Sequence, residues 1–308
     1  MLDNNLAERL RALADKYEKA SFMDADPSRF LRRYSKPRDQ ELAAFVVSTL
    51  SFGQREQFIA KLDAMFDAAD ESVGKPRMSA TEIVRAAKTE DAAKSACKPK
   101  TGGASFADWL TSGGYKKFFP KSQKKFYRFF SYADMAELCS RLAQIVEERG
   151  SLGAAVRARY GLANNCGNAK SDGATKNEGA AAPLGLATVP PELRLVTALI
   201  SLFPGVKCVS QNPKGACKKL HMFLRWMVRR GSPVDLGLWN WASAADLLIP
   251  LDTHVLQESA RLGLIAPNAA ASAKTAIELT KKMAQVFPGD PARADFALFG
   301  LGVDDSAI

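Results

Sequence analysis

The chain has 308 residues, 47% hydrophobic and 25% charged, with a formal net charge of +10. That balance belongs to a globular protein and excludes collagen, coiled coil or long disorder as the main architecture; the length suits two domains with a core that needs no disulfide or structural metal. No apolar run approaches the roughly 18 residues a membrane-spanning helix needs, and the charged N-terminus lacks a signal peptide's apolar core, so a cytoplasmic protein is expected.

Taken in chain order, the predicted elements are helical. Residues 39–50 and 54–66 read as two helices around a Ser51-Phe52-Gly53 turn, with Asp39 as the first N-cap. Residues 71–105 are rich in small residues and only weakly helical. In 132–149, Met135, Leu138, Leu142 and Ile145 recur at helical spacing, and Gly150 supplies the stop. Residues 161–182 are rich in Gly, Asn and Ala, with no aromatic residue, and cannot bury enough apolar area to order themselves. Helices are further predicted over 190–203, 214–230, 252–263, 272–286 and 291–300. No segment alternates apolar and polar residues beside a hairpin turn, so the fold class is all-α. The expected organisation is an N-terminal helical part over 1–160, a flexible insertion over 161–188 and a C-terminal helical part over 189–308.

The cations are clustered. From Leu193 to Val234 there is no acid, but there are Arg194, Lys207, Lys214, Lys218, Lys219, Arg225, Arg229 and Arg230. A second acid-free stretch, Trp109 to Ala133, carries Lys116, Lys117, Lys121, Lys124, Lys125 and Arg128. Such clustering suits a polyanionic partner, nucleic acid first. In the 214–230 helix, Leu220, Phe223, Leu224, Met227 and Val228 form one apolar stripe. Lys218, Arg225 and Arg229 share the opposite face, which reads as a basic, solvent-facing back. Lys218 sits in the first turn, where the helix dipole and neighbouring cations favour the neutral, nucleophilic amine. Asp252 follows Pro250-Leu251 and is placed to cap the next helix, which would hold its carboxylate ionised and rigid. Trp226, Trp239, Trp241 and Phe52 are candidates for stacking on a base.

Other chemistries lack their motifs. The five cysteines form no C-x-x-C pair, and the two histidines, His221 and His254, join no cluster with zinc spacing. There is no Walker A loop and no G-x-G-x-x-G after a strand. No metal or cofactor is expected.

Two segments carry a resemblance. Leu251-Asp252-Thr253-His254-Val255, followed by Arg261-Leu262-Gly263-Leu264, resembles the V-D-T-H-V…R-x-G-L segment of the helix-hairpin-helix (HhH-GPD, endonuclease III-like) DNA glycosylases. Ser48-Thr49-Leu50-Ser51-Phe52-Gly53-Gln54-Arg55 is similar to their L-S-x-Q-T segment. The combination of Phe223–Arg229, Pro250–Val255 and Asp295–Gly302 resembles a bacterial family of unknown function placed in that superfamily. The resemblance implies a two-lobed all-α fold binding double-stranded DNA with a damaged base flipped into the cleft. Asp252 matches the catalytic aspartate, and Lys218 lies nearest the Schiff-base lysine of the bifunctional members, with Lys219 as rival. Gln54, Arg55, Lys214, Lys219, Arg225, Arg229 and His254 are then the expected DNA-binding residues. The hairpin departs from the family's L-P-G-V-G. It runs Pro204-Gly205-Val206, then an extra loop, then Gly215-Ala216-Cys217. No cysteine follows Cys217, so no iron–sulfur cluster is expected. The expected function is base excision by a monomeric glycosylase, with a lyase step left open. The alternatives are a non-catalytic nucleic-acid-binding protein on the same fold and a helical protein-interaction scaffold.

Overall fold

The computed structural model describes residues 3–72, 105–165 and 189–303. The predicted insertion over 161–188 falls almost wholly outside the described residues, as does most of 71–105. What is described is helical, as expected, with one short hairpin that the sequence reading did not anticipate.

The centre of the molecule is α2 (Pro37–Leu50). Every residue from Leu42 to Leu50 is buried, so the helix beyond its first turn has no solvent face. It begins with proline at the first helical position, where a missing N–H costs nothing. Asp39 is not its cap, since Lys36 holds that position. Asp39 is instead buried in the first turn and accepts from Ser105 Oγ and Ala107 N, both at 2.9 Å. A carboxylate of α2 thereby satisfies the start of α4 (Phe106–Thr111), after the intervening α3 (Arg55–Ser72).

A short α5 (Tyr115–Phe118) leads to the hairpin β1 (Lys125–Tyr127) and β2 (Phe130–Ser131), paired antiparallel with Tyr127 opposite Phe130. Its two-residue tip, Arg128-Phe129, has none of the Gly or Asn that usually marks such a turn. Arg128 takes the left-handed conformation itself, at φ +48°. α6 (Tyr132–Arg149) opens on a capping box between Ser131 and Asp134 and closes at Gly150, whose φ of +78° suits glycine. α7 (Leu152–Asn165) follows.

In the C-terminal part, α8 (Pro191–Ile200), α9 (Lys218–Val228), α10 (Thr253–Arg261), α11 (Ala273–Val286) and α12 (Ala294–Val303) match the predicted helices; each starts later than predicted, and α12 runs three residues beyond its predicted end. The two parts share one hydrophobic core. The N-terminal α1 (Asn4–Tyr17) lies on α11 and α12, α2 packs on α9, and α7 on α8.

The basic back of α9 requires correction. All residues from Leu220 to Val228 are buried, Arg225 included, and Arg229 just beyond is only 3% exposed. Arg225 binds Asp235 at 3.3 Å and also pairs with Asp295. Arg229 binds Glu18 and Asp290 at 2.8 Å and pairs with Asp235. Arg293 completes the cluster through Glu18 (2.7 Å) and Asp15 (2.6 Å). The balancing acids lie outside the acid-free stretch, on α1, on the loop after α9 and around the start of α12. Only the fold brings them to α9. Arg225 and Arg229 are therefore held inside the protein and are not available to DNA.

Candidate functional site

The site is built where α9 begins and α10 is capped. α9 starts from Cys217, held in the left-handed region at φ +44°, and no side chain caps its first amides. The preceding loop is braced internally. Gln211 Nε2 donates to the carbonyls of Phe203 (3.0 Å) and Val209 (2.9 Å), and its Oε1 accepts from Gly205 N at 3.2 Å. The altered hairpin thus spends its Gly205 amide on its own side chain. Backbone pairing of Gly215 with Ser272, and Ala273 N to Lys214 O at 3.0 Å, ties the loop to the start of α11.

On this support Lys218 reaches Asp252, with Nζ 3.5 Å from Oδ2. The other carboxylate oxygen, Oδ1, accepts from Val255 N at 2.8 Å and caps α10. One oxygen fixes the carboxylate and the other faces the amine. The side chains are 33% and 38% exposed, so a ligand can reach both. Two residues 34 positions apart in sequence are brought together, which their separate readings as helix-start lysine and helix cap did not require.

Lys219 has a different setting. Its Nζ donates to Thr49 O at 3.1 Å and lies 4.7 Å from the Phe52 ring centre and 5.0 Å from that of Phe130. Burial, assisted by the charge of Lys218, pushes its pKa down to about 8. Lys219 is thus readily neutralised, but it faces the 49–52 backbone and two rings rather than Asp252. Its place is under the turn that presents Gln54 and Arg55, both exposed. Lys214 is exposed on the adjoining loop.

His254 does not face outward. Its Nε2 is buried without a partner, and a Cβ at Gly302 would fall 1.7 Å from the ring. The imidazole fills the space that Gly302 leaves on α12, so His254 packs the helices together and is withdrawn from the DNA-contacting set. His221, fully buried in α9, has its pKa lowered to about 4 by burial and stays neutral. Trp226 and Trp239 are core residues, 0% and 1% exposed. Trp241 stacks on Trp239 with ring centres 5.3 Å apart, and Phe52 is half-buried beside the site.

Two features escaped the sequence reading. Asp295, the first residue of the Asp295–Gly302 motif, lies beneath the site. Burial raises its pKa to about 6 against the pull of Arg225, and the charge of Asp252 adds to the rise. Its carboxylate pairs with Arg225 of the ion-pair cluster, and its position at the head of the Asp295–Gly302 motif was the available signal. The second feature is the hairpin, pressed against the 51–54 turn. Tyr127 Oη donates to Phe52 O, and a Cβ at Gly53 would meet that hydroxyl at 2.7 Å. Gly53 (φ +80°) permits this approach. Among the described residues no group of His, Cys, Asp and Glu could hold a metal ion, and no helix is long and apolar enough to cross a membrane.

No curated protein and no solved structure matches the chain. A family described as "Protein of unknown function (DUF2400)" matches over residues 26–98 and 93–304, which takes in the hairpin, Lys218, Asp252 and Asp295. The chain therefore belongs to the DUF2400 family.

Proposed function

We propose that the chain is a DNA glycosylase-like protein that excises a damaged base by cleaving its N-glycosidic bond, as the helix-hairpin-helix enzymes it resembles do. The observation that carries this reading is the approach of Lys218 to Asp252 at a solvent-reachable edge. Cleavage develops positive charge on the sugar. A carboxylate already fixed by the Val255 amide can stabilise that charge without reorganising. Where a lyase step follows, Asp252 acts instead as the base: the Lys218 ammonium, 3.5 Å away, passes its proton to the carboxylate and the free amine attacks the sugar. Its attack forms the N–C1′ bond while the C1′–base bond breaks and the base leaves with its electrons. The nitrogen then gives up a further proton as the C1′–O4′ bond breaks, O4′ takes those electrons and a proton, and the opened sugar is the Schiff base that a lyase step requires. Gln54 and Arg55, on the turn over Lys219, and Lys214, on the loop before α9, are exposed and suit contacts to the strand. Double-stranded DNA with one flipped base is the substrate, and the chain acts as a cytoplasmic monomer without a cofactor.

The test is base release from duplexes that each carry one defined lesion. Asp252→Asn keeps the capping oxygen and costs at most about 1 kcal/mol of stability, so base release should fall by orders of magnitude while binding persists. Lys218→Gln should abolish a borohydride-trapped covalent complex. Base release by Asp252→Asn equal to the parent's would leave Asp252 as a helix cap only. Trapping that survives Lys218→Gln but not Lys219→Gln would move the nucleophile by one residue.

A further inference from the structure

The hairpin tip is built for a contact that the glycosidic chemistry does not use. Phe129 is 68% exposed, and no other large hydrophobic side chain among the described residues is so open to water. Its neighbours are not. Phe126, Tyr127 and Phe130 are each 6% exposed or less and anchor the hairpin in the core. Tyr127 is further tied to the 51–54 turn through Phe52 O, and Lys125 Nζ donates to Phe129 O at 3.2 Å. The tip is thus a rigid support. Arg128, held left-handed at φ +48°, turns the chain so that Phe129 follows at the apex. A non-glycine residue in that region is strained, and strain at a tip that also exposes a phenyl ring points to use.

The surroundings select the ligand. Lys116, Lys117, Lys121, Lys124, Lys125 and Arg128 are exposed. No acid occurs between Trp109 and Ala133, and none of the six makes an ion pair among the described residues. The Phe129 ring lies parallel to Phe52, 2° apart in plane with centres 6.0 Å apart, and Phe52 in turn touches the Lys219 amine. A flat aromatic surface beside unpaired cations combines the two contacts that single-stranded nucleic acid needs, a face for the base and charges for the phosphates. A lipid surface would draw on the same cations, but the other apolar residues of the hairpin are buried and cannot insert.

We propose that the Arg128-Phe129 tip is a stacking platform for an unpaired nucleobase of a strand whose phosphates track Lys121, Lys124, Lys125 and Arg128. The inference rests on the nucleic-acid reading above and extends it to a contact outside the Lys218–Asp252 edge.

The experiment is equilibrium binding of the full chain, by fluorescence anisotropy, to a labelled oligothymidylate and to an abasic oligonucleotide of the same length. Phe129→Ala should weaken the thymidylate complex roughly tenfold and leave the abasic one within a factor of about two. Phe129→Trp should restore thymidylate binding. Lys124→Ala with Lys125→Ala should weaken both ligands alike. Phe129 is exposed, so its variants should melt with the parent, and a shared melting temperature checks this. Equal loss on both ligands, or no loss on either, overturns the stacking role. If the parent binds the oligonucleotides and Phe129→Ala binds them equally well, the platform fails and the nucleic-acid reading stands. If the parent binds neither, both fail. Phe129-dependent sedimentation with phosphatidylserine vesicles, without Phe129-dependent oligonucleotide binding, would assign the tip to membranes and overturn the proposal.

Discussion

Replacing Arg229 with methionine tests whether the α9 arginines are structural. Met keeps much of the stem's volume and removes the guanidinium, which leaves three carboxylates with one partner fewer. Their losses differ. Glu18 keeps Arg293 at 2.7 Å, and Asp290 is 32% exposed and can recruit water. Asp235 is fully buried and falls back on Arg225 alone. Breaking a buried pair by removing one partner costs about 3–5 kcal/mol, and the partial compensation places Arg229→Met near the lower end. At roughly 2 °C per kcal/mol for a chain of this size, the melting temperature should fall by about 6–8 °C. The loss should also depend on pH. In the parent, Arg229 and Arg293 outweigh burial and hold the Glu18 carboxyl below its ordinary value, whereas burial outweighs the arginines at Asp235 and holds it above. Without Arg229 both move up. A carboxyl whose folded pKa is raised is a burden at neutral pH that protonation relieves, so the deficit should shrink between pH 7 and pH 5. Calorimetry of parent and variant at both pH values measures this, with exposed Lys214→Met as the control. A loss below about 1 kcal/mol accompanied by a large loss of nucleic-acid affinity would refute the reasoning and return Arg229 to the binding surface.

Two further outcomes follow from single contacts. The Lys219 pKa of about 8 lies below its ordinary 10.5, so the folded chain holds fewer protons between those values and gains stability as pH rises through them. Between pH 8 and pH 10 this gain is about 2 kcal/mol. Lys219→Met should lose it in urea titrations, and an unchanged pH slope would show that the amine is not desolvated. Gly302→Ala drives a methyl into the His254 ring. It should cost about 1–3 kcal/mol as overpacking, largely recovered in the double variant with His254→Ala. Additive losses in thermal unfolding would mean the two residues do not share that space.

Much of the architecture was legible locally. Helical periodicity, Gly150 as a stop and Asp252 as a cap are properties of a few neighbouring residues, and the structure agrees with them. The hairpin was not legible, because its tip uses a strained arginine where sequence rules look for glycine or asparagine. Asp39 was misread for a related reason. A short polar side chain near a helix start suits a cap, but only packing decides which helix it serves, and here it serves α4.

The apolar stripe of α9 is a periodicity, and it determined which residues of that helix would be buried first. Whether its other face meets solvent or acid is a matter of neighbours up to 211 residues away, Glu18 among them, and no local pattern encodes that. The same holds for the site. The sequence by itself nominated Lys218 and Asp252 one at a time, through helix-start chemistry and resemblance. Only the tertiary structure set Nζ 3.5 Å from Oδ2, gave the other oxygen to Val255, and turned Lys219 and His254 inward. Side-chain type and spacing fix local conformation. The partner of a charge is chosen by burial, because a buried charge must be paired wherever in the chain its counter-charge lies.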